Sequence, residues 1–291
     1  MDGIWPVLSG ALAQERRMEV IANNLSNINT VGFKKEFAVF EGVSPIAPEV
    51  LGKRPVVPTP TFAVLSQVKV NFSPGEIRET GEPLDLAIDG EGFFPVRTQE
   101  GIRYTRSGSF TLNEERQVVT KNGYPLLAGV DPIVLPHGII RVDAEGNVSV
   151  FPIEASRAPN EPGSAAIARG TSIIEVAKVA LIRFKDLGHL KKVGDNLYEA
   201  VEVIPEEMLP EGVAAQEPLS QMQSTLDTAQ GGLPFAVGRI RQGALEVSNV
   251  NPVEEMVSMI GVHRMYEAAQ NAIRTADEVA GRAANDVGRI E

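Results

Sequence analysis

MIGVHRMYEAAQNAIRTADEVAGRAANDVGRI, residues 259–290, places an apolar side chain at every step of an alternating three-then-four spacing: Met259, Val262, Tyr266, Ala269, Ile273, Ala276, Ala280, Ala283, Val287 and Ile290. A stripe of that period stays on one side of a helix for its whole length, and it is the seam of a coiled coil. The other end of the chain carries the same spacing at Ile4, Val7, Ala11, Met18, Ile21, Leu25 and Ile28, interrupted only by Gln14. Both ends of the 291 residues are therefore helices that need partner helices. Spacing admits two partners, the opposite end of the same chain or a neighbouring copy. An isolated helix hides almost none of its stripe, and ordering it costs backbone entropy. We therefore expect ends that are loose in a lone chain and bury their stripes against neighbouring copies in an assembly. Four of the ten C-terminal seam positions are alanine, which lets helix axes approach closely.

The segment between the helices has a different character. The N-terminal helix is expected over residues 3–29, closing in the Asn-rich run from Asn23 to Thr30 and Gly32, residues that tolerate a left-handed backbone. Five prolines, Pro45, Pro48, Pro55, Pro58 and Pro60, then exclude helix and mark a first domain boundary. Period-two alternation begins at Phe62, with Val64, Val68, Val70 and Phe72 on the same face. Turn signals recur at short intervals, and Asn122-Gly123 between Val118-Val119-Thr120 and Tyr124-Pro125-Leu126 is a strong hairpin signal. Further strands are expected at Ile102–Thr105, Gln117–Thr120, Ile139–Val142, Glu175–Phe184 and Asn196–Tyr198. Two polar stretches, Ala155–Gly170 and Ile204–Gly232, read as long surface loops. From Arg239 onward the chain is expected to return to helix, with Asn251 as N-cap, Pro252 at the first helical position and Glu254 three residues after the cap. The expected fold class is mixed and mainly β. A central antiparallel β domain, residues 44–240, is flanked by 1–43 and 241–291, whose helices form a joint coiled-coil-like domain.

Composition narrows the function classes. A formal charge of −11 argues against nucleic acid or an anionic membrane as partner, because both need clustered cations. Much of the charge comes from the stretch between Val193 and Gly238, which has eight acids and no Lys or Arg and reads as a solvated surface. With no cysteine, disulfides, thiolate catalysis and Cys-based metal sites are excluded. The first residues lack a basic stretch before their apolar patch, so no cleavable secretory signal is expected. No segment approaches the about 20 apolar residues of a membrane span, and no membrane insertion is expected. His137, His189 and His263 are too dispersed for a metal site, and neither a nucleophile elbow nor a phosphate-cradling loop is present. Asp85 and Asp89 are the best paired-carboxylate candidates, but along a strand they stand about 13 Å apart, and Asp89-Gly90 is turn chemistry first. No catalytic residue, cofactor or metal is therefore assigned. A hydrolase built on those two aspartates and a binding module using the acidic stretch are the competing classes.

Several stretches match one family in order along nearly the whole chain. Ala22-Asn23-Asn24-Leu25-Ser26-Asn27-Ile28-Asn29-Thr30-Val31-Gly32-Phe33-Lys34-Lys35 resembles the N-terminal signature of the flagellar rod and hook proteins, an axial family. Gln242-Gly243-Ala244-Leu245-Glu246-Val247-Ser248-Asn249-Val250-Asn251-Pro252-Val253-Glu254-Glu255-Met256-Val257, followed by Arg264-Met265-Tyr266-Glu267, resembles its C-terminal counterpart. Internal matches run from Gly81 to Phe94, from Tyr104 to Leu112 and from Asn122 to Leu126. Met1-Asp2-Gly3-Ile4 and the Ala-rich stretch after Tyr266 resemble the proximal rod member more than the distal one. The resemblance implies a structural subunit of the basal-body rod whose terminal helices pack into an inner tube beneath an outer β layer. It also implies export through the flagellar type III apparatus without a cleavable signal, a periplasm-spanning location, and copies of itself and other rod proteins as partners. Carried over residue by residue, the assembly interface would include Asn23, Asn24, Asn27, Gly32, Phe33, Asn249, Asn251, Glu254, Met256 and Tyr266. The seam adds Ile273, Ala276 and Ala280. The plainer account of these Asn and Gly residues is that they cap helices.

Overall fold

The N-terminal stripe forms a single helix, α1 (Ile4–Ser26), in a computed structural model that describes residues 4–43, 62–152, 173–184, 186–200 and 238–287. The Pro-rich connector and the two loops expected at 155–170 and 204–232 lie outside the described residues. Beyond α1 the Asn-rich run closes the helix with its own backbone. The Asn27 N–H donates to Asn23 O at 3.2 Å and the Thr30 N–H to Asn27 O at 3.1 Å. Gly32 then takes φ 67°, a conformation that costs a residue with a Cβ about 1–2 kcal/mol. The turn drives Phe33 into the interior at 2% exposure.

Strand β1 (Glu36–Val43) follows and pairs antiparallel with β2 (Phe62–Val70), with a bulge between Val39 and Phe40. The apolar face expected along β2 is split at that bulge: the register skips Ser66, so Phe62 and Val64 stand opposite Val43 and Glu41 while Val68 and Val70 stand opposite Ala38 and Glu36, on the other face of the ribbon, and Val64 and Val68 stay 49% and 44% exposed.

The C-terminal helix, α2 (Pro252–Val287), starts where the capping signature places it. The Asn251 carboxamide accepts from the Val253 N–H at 3.0 Å and the Glu254 N–H at 3.5 Å. Met259, Val262, Tyr266, Ala269, Ile273, Ala276 and Ala280, the expected seam, are all buried or half-buried. The stripe also extends one step back to Glu255, which is 2% exposed.

Two compact units result, Met1–Glu76 with Val247–Glu291, and Ile77–Glu246. The first boundary falls after β2, not at the prolines, because the ribbon packs on α1. The second unit is built of antiparallel strands. A four-stranded sheet has the order Leu190–Gly194, Leu197–Ala200, Gly101–Thr105, Phe94–Thr98, and a three-stranded sheet the order Ile139–Val142, Asn147–Phe151, Ile174–Lys178. Its core includes Phe94, Val96, Leu126 and Val150, none of which retains measurable exposure. The Asn122-Gly123 turn is present, with the Thr120 N–H donating to Tyr124 O at 2.9 Å and Gly123 at φ 85°.

Two segments depart from the sequence expectation: the strand expected over Glu175–Phe184 ends at Lys178, and the chain does not turn helical at Arg239. Arg239–Gln242 and Ala244–Glu246 are strands, paired with Leu86–Asp89 and Ile77–Glu79, so the helix begins only at Pro252. Their pairing partners come from the other end of the unit's sequence, and that long-range pairing overrides the helical continuity read from the neighbouring seam. Among the described residues the architecture is thus mixed: an N-terminal α-helix, many antiparallel strands and a C-terminal α-helix.

A buried ion pair fixes the end of the second unit. Arg106 and Glu246 are 4% and 1% exposed, with Nη1 and Oε2 3.5 Å apart. Arg106 Nη2 also donates to Gly90 O at 2.8 Å, and the guanidinium stands 5.3 Å from the Phe93 ring centre. Burial pulls Arg106 below the ordinary arginine value, and the Glu246 and Glu91 carboxylates oppose that shift.

Candidate assembly site

The two helices meet within one chain. The first turn of α2 lies against the last turn of α1, where Asn24 Nδ2 donates to Glu255 Oε2 at 3.3 Å. Since the helices pack on each other from that point, they run antiparallel. The expectation that the stripes find partners only in neighbouring copies is thereby corrected, for each end supplies part of the other's partner. The physical reason lies in polar residues that seam spacing does not weigh.

Those residues form a clasp. Asn24 is 1% exposed, and its carboxamide engages both backbone groups of Glu36, Nδ2 donating to Glu36 O at 2.8 Å and Oδ1 accepting from the Glu36 N–H at 2.9 Å. Glu255 Oε1 pairs with the Lys35 ammonium, so both carboxylate oxygens are engaged, one by each side of the α1–β1 turn. Lys34 is fully buried and its Nζ donates to Ser73 O at 2.7 Å. Asn249 completes the arrangement: Oδ1 accepts from the Lys35 N–H at 2.7 Å, and Nδ2 donates to Asn71 O at 2.9 Å and Ser73 O at 3.0 Å. Gly75 is required beside it, because a Cβ there would stand 2.0 Å from Val247 O.

The sequence-derived candidates therefore divide. Asn24, Phe33 and Asn249 come together in the clasp. Asn27, Gly32 and Asn251 shape helix ends, Asn27 Oδ1 also accepting from Thr30 Oγ1 at 3.1 Å. Asn23, Glu254 and Met256 face outward, and Tyr266, Ile273, Ala276 and Ala280 line α2 further along. Sequence reasoning missed Lys34, Lys35 and Glu255 as site residues. Stepping the seam back one turn from Met259 would have found Glu255, an acid on an apolar stripe. Gln14 also lies on the α1 stripe, and its Oε1 is buried without a hydrogen-bond partner among the described residues.

Replacing Asn249 with alanine should take the side-chain partner from the Lys35 N–H and from Asn71 O, and leave Ser73 O with Lys34 Nζ alone of the two side-chain amines that serve it. A loss of about 1–3 kcal/mol in the stability of the helical unit is expected, measured by urea unfolding followed at Trp5.

Chemistry of another kind finds little support. Asp85 Oδ2 accepts from Thr80 Oγ1 at 2.7 Å, which uses it as a turn brace. An open groove between residues 128–134 and the strand Ile174–Lys178 carries Asp131, Glu145, Lys178 and Arg239, with no histidine or hydroxyl nucleophile among its described lining. Among the described residues no group of His, Cys, Asp or Glu could hold a metal ion, and no helix is long and apolar enough to cross a membrane.

Comparisons with known proteins converge on one family. Residues 7–34 match the family description "Flagella basal body rod protein", residues 87–150 "Flagellar hook protein FlgE/F/G D1 domain", and residues 241–286 "Flagellar basal body rod FlgEFG protein C-terminal". The flagellar basal-body rod protein FlgG of Borreliella burgdorferi is 33% identical, over 98% of this chain and 98% of its own length. The flagellar basal-body rod protein FlgF of Caulobacter vibrioides is 32% identical, over 99% of each chain. A FlgG of Bacillus subtilis is 28% identical over 96% of each. The matched segments at 7–34 and 241–286 contain the clasp residues Asn24, Lys34, Asn249 and Glu255.

Proposed function

The chain belongs to the flagellar basal-body rod protein family, and we propose that it builds a tubular axle by packing its α1–α2 pair against the pairs of neighbouring copies. It is a structural subunit of the basal-body rod, not an enzyme. In this reading the helix pairs form a coiled-coil-like inner layer and the β unit forms the outer one. Export through the flagellar type III apparatus, a rod that spans the periplasm, and other rod proteins as end-to-end neighbours complete the proposal. A proximal position in the rod is supported by the opening Met1-Asp2-Gly3-Ile4 and the Ala-rich stretch after Tyr266.

One observation carries the reading. Counted outward along both helices from the Asn24–Glu255 contact, Ile4 at the far end of the described α1 comes level with Thr275 of α2. The rest of α2, from Ala276 to Val287, runs about 18 Å further at about 1.5 Å per residue. Ala276 and Ala280 continue the seam past the last described residue of its partner within the chain, and in this reading another copy takes it up there. Repetition of such a heterologous contact generates an open filament.

Ala280→Asp tests this. A charge there costs several kcal/mol once packed against another helix and almost nothing in water. Cells whose only copy carries the substitution should lose rods and motility, while circular dichroism of the purified chain stays as in the wild type. Normal rods in such cells would refute the proposal.

A further inference from the structure

Each helix of the pair carries a second apolar stripe that its own partner does not cover. On α1, Trp5, Leu8 and Leu12 are 61%, 36% and 53% exposed; on α2, Val253, Met256, Val257 and Ile260 are 67%, 52%, 65% and 55% exposed. At about 100° per residue, both stripes lie roughly 110–150° round the helix from the buried seam. Each therefore points outward, away from the partner helix. They are also at opposite ends of the pair, since Asn24 marks the α1 end that meets the first turn of α2. No arrangement of the antiparallel pair brings them together within one molecule. Each stripe runs about 10 Å along its helix.

Resting on the tubular reading above, we infer that the Trp5–Leu8–Leu12 face of one copy packs on the Val253–Met256–Val257–Ile260 face of the next. The occupant is a second copy because the two stripes match in length, face outward from different helices, and so let each copy bind one neighbour on either side. The contact is heterologous and continues as a row. All copies in a row point the same way, so α1 of one copy meets α2 of the next antiparallel. Leu12 then lies opposite Val253, Leu8 opposite Val257 and Trp5 opposite Ile260. Within one chain, counted outward from Asn24 and Glu255, Leu8 comes level with Asn271 and not with Val257. Bringing Leu8 level with Val257 therefore displaces contacting copies by about 21 Å along the helix axis, at about 1.5 Å per residue. A standard stable interface uses about 20–30 residues a side, and seven side chains fall far short. Two copies in dilute solution are expected to stay apart, with the contact holding where each copy has neighbours on both flanks.

The absence of cysteine makes the test clean. Leu8→Cys and Val257→Cys are combined in one chain, which is supplied as the only copy, and basal bodies are oxidised and run on a non-reducing gel. A covalent ladder of dimers and higher multiples is expected, at least tenfold stronger than in either single variant. Leu8→Cys with Glu267→Cys, a pair about 15 Å out of register, should be equally weak. Rods seen by electron microscopy under reducing conditions, but without the ladder, would overturn this pairing and leave the rod reading intact. Normal rods in cells lacking the chain would overturn both. As a second route, Leu12→Lys and Val253→Glu should each abolish rods, and the double variant should restore them. If both singles fold by circular dichroism and the double fails to restore rods, the pairing is wrong.

Discussion

Glu255→Ala is expected to destabilise the helical unit by about 3–5 kcal/mol, the range for removing one member of a buried ion pair. The Glu255 side chain is 3% exposed, and its two oxygens serve Asn24 and Lys35. Without the carboxylate, Lys35 keeps a partly buried charge with no counter-ion from α2, and one N–H of Asn24 loses its acceptor. Because Asn24 and Lys35 hold the turn between α1 and β1, the loss should reach α1, at the opposite end of the sequence. Hydrogen exchange along residues 10–26 should accelerate by two or more orders of magnitude. Glu255→Gln, which keeps an acceptor for Asn24, should fall between alanine and the wild type. Unchanged exchange in α1 would mean that the helix pair does not depend on the clasp.

Arg106→Met should have an effect of similar size on the other unit. It leaves Glu246 charged at 1% exposure with its guanidinium partner gone, again about 3–5 kcal/mol. Arg106→Met combined with Glu246→Leu should recover most of that loss, since an apolar pair of similar volume removes the buried charge altogether. Calorimetry of the full chain would resolve the transition of the β unit. A double variant no more stable than Arg106→Met would show that the pair's partners at Gly90 and Phe93 matter more than the charges.

Much of the helical part was legible in sequence because seam spacing and capping are local. Met259 to Ala280 needed only their own period, and Asn251-Pro252 needed only each other. The strands at Arg239–Gln242 and Ala244–Glu246 were hidden, since three or four residues carry too little pattern and their partners lie at Leu86–Asp89 and Ile77–Glu79. The clasp was hidden for a different reason. Lys34, Lys35 and Glu255 are charged, and a charge on a helix end or after a turn normally reads as solvated. Only the spatial meeting of residues 24–36 with 249–255 shows that these charges are enclosed and answered. Asn24 and Asn249 were singled out by resemblance, but their bonding could not be, because each one's partners include backbone groups that any sequence supplies.

The subunit reading turns on where the helix pairs sit in the rod. Electron cryomicroscopy of basal bodies from the bacterium that makes this chain gives the most direct answer. The expected map has α1 and α2 of every copy lining the central channel as antiparallel pairs, with neighbouring pairs offset by about 21 Å. A rod whose channel is lined by the β unit, or one that contains no copy of this chain, would contradict the account.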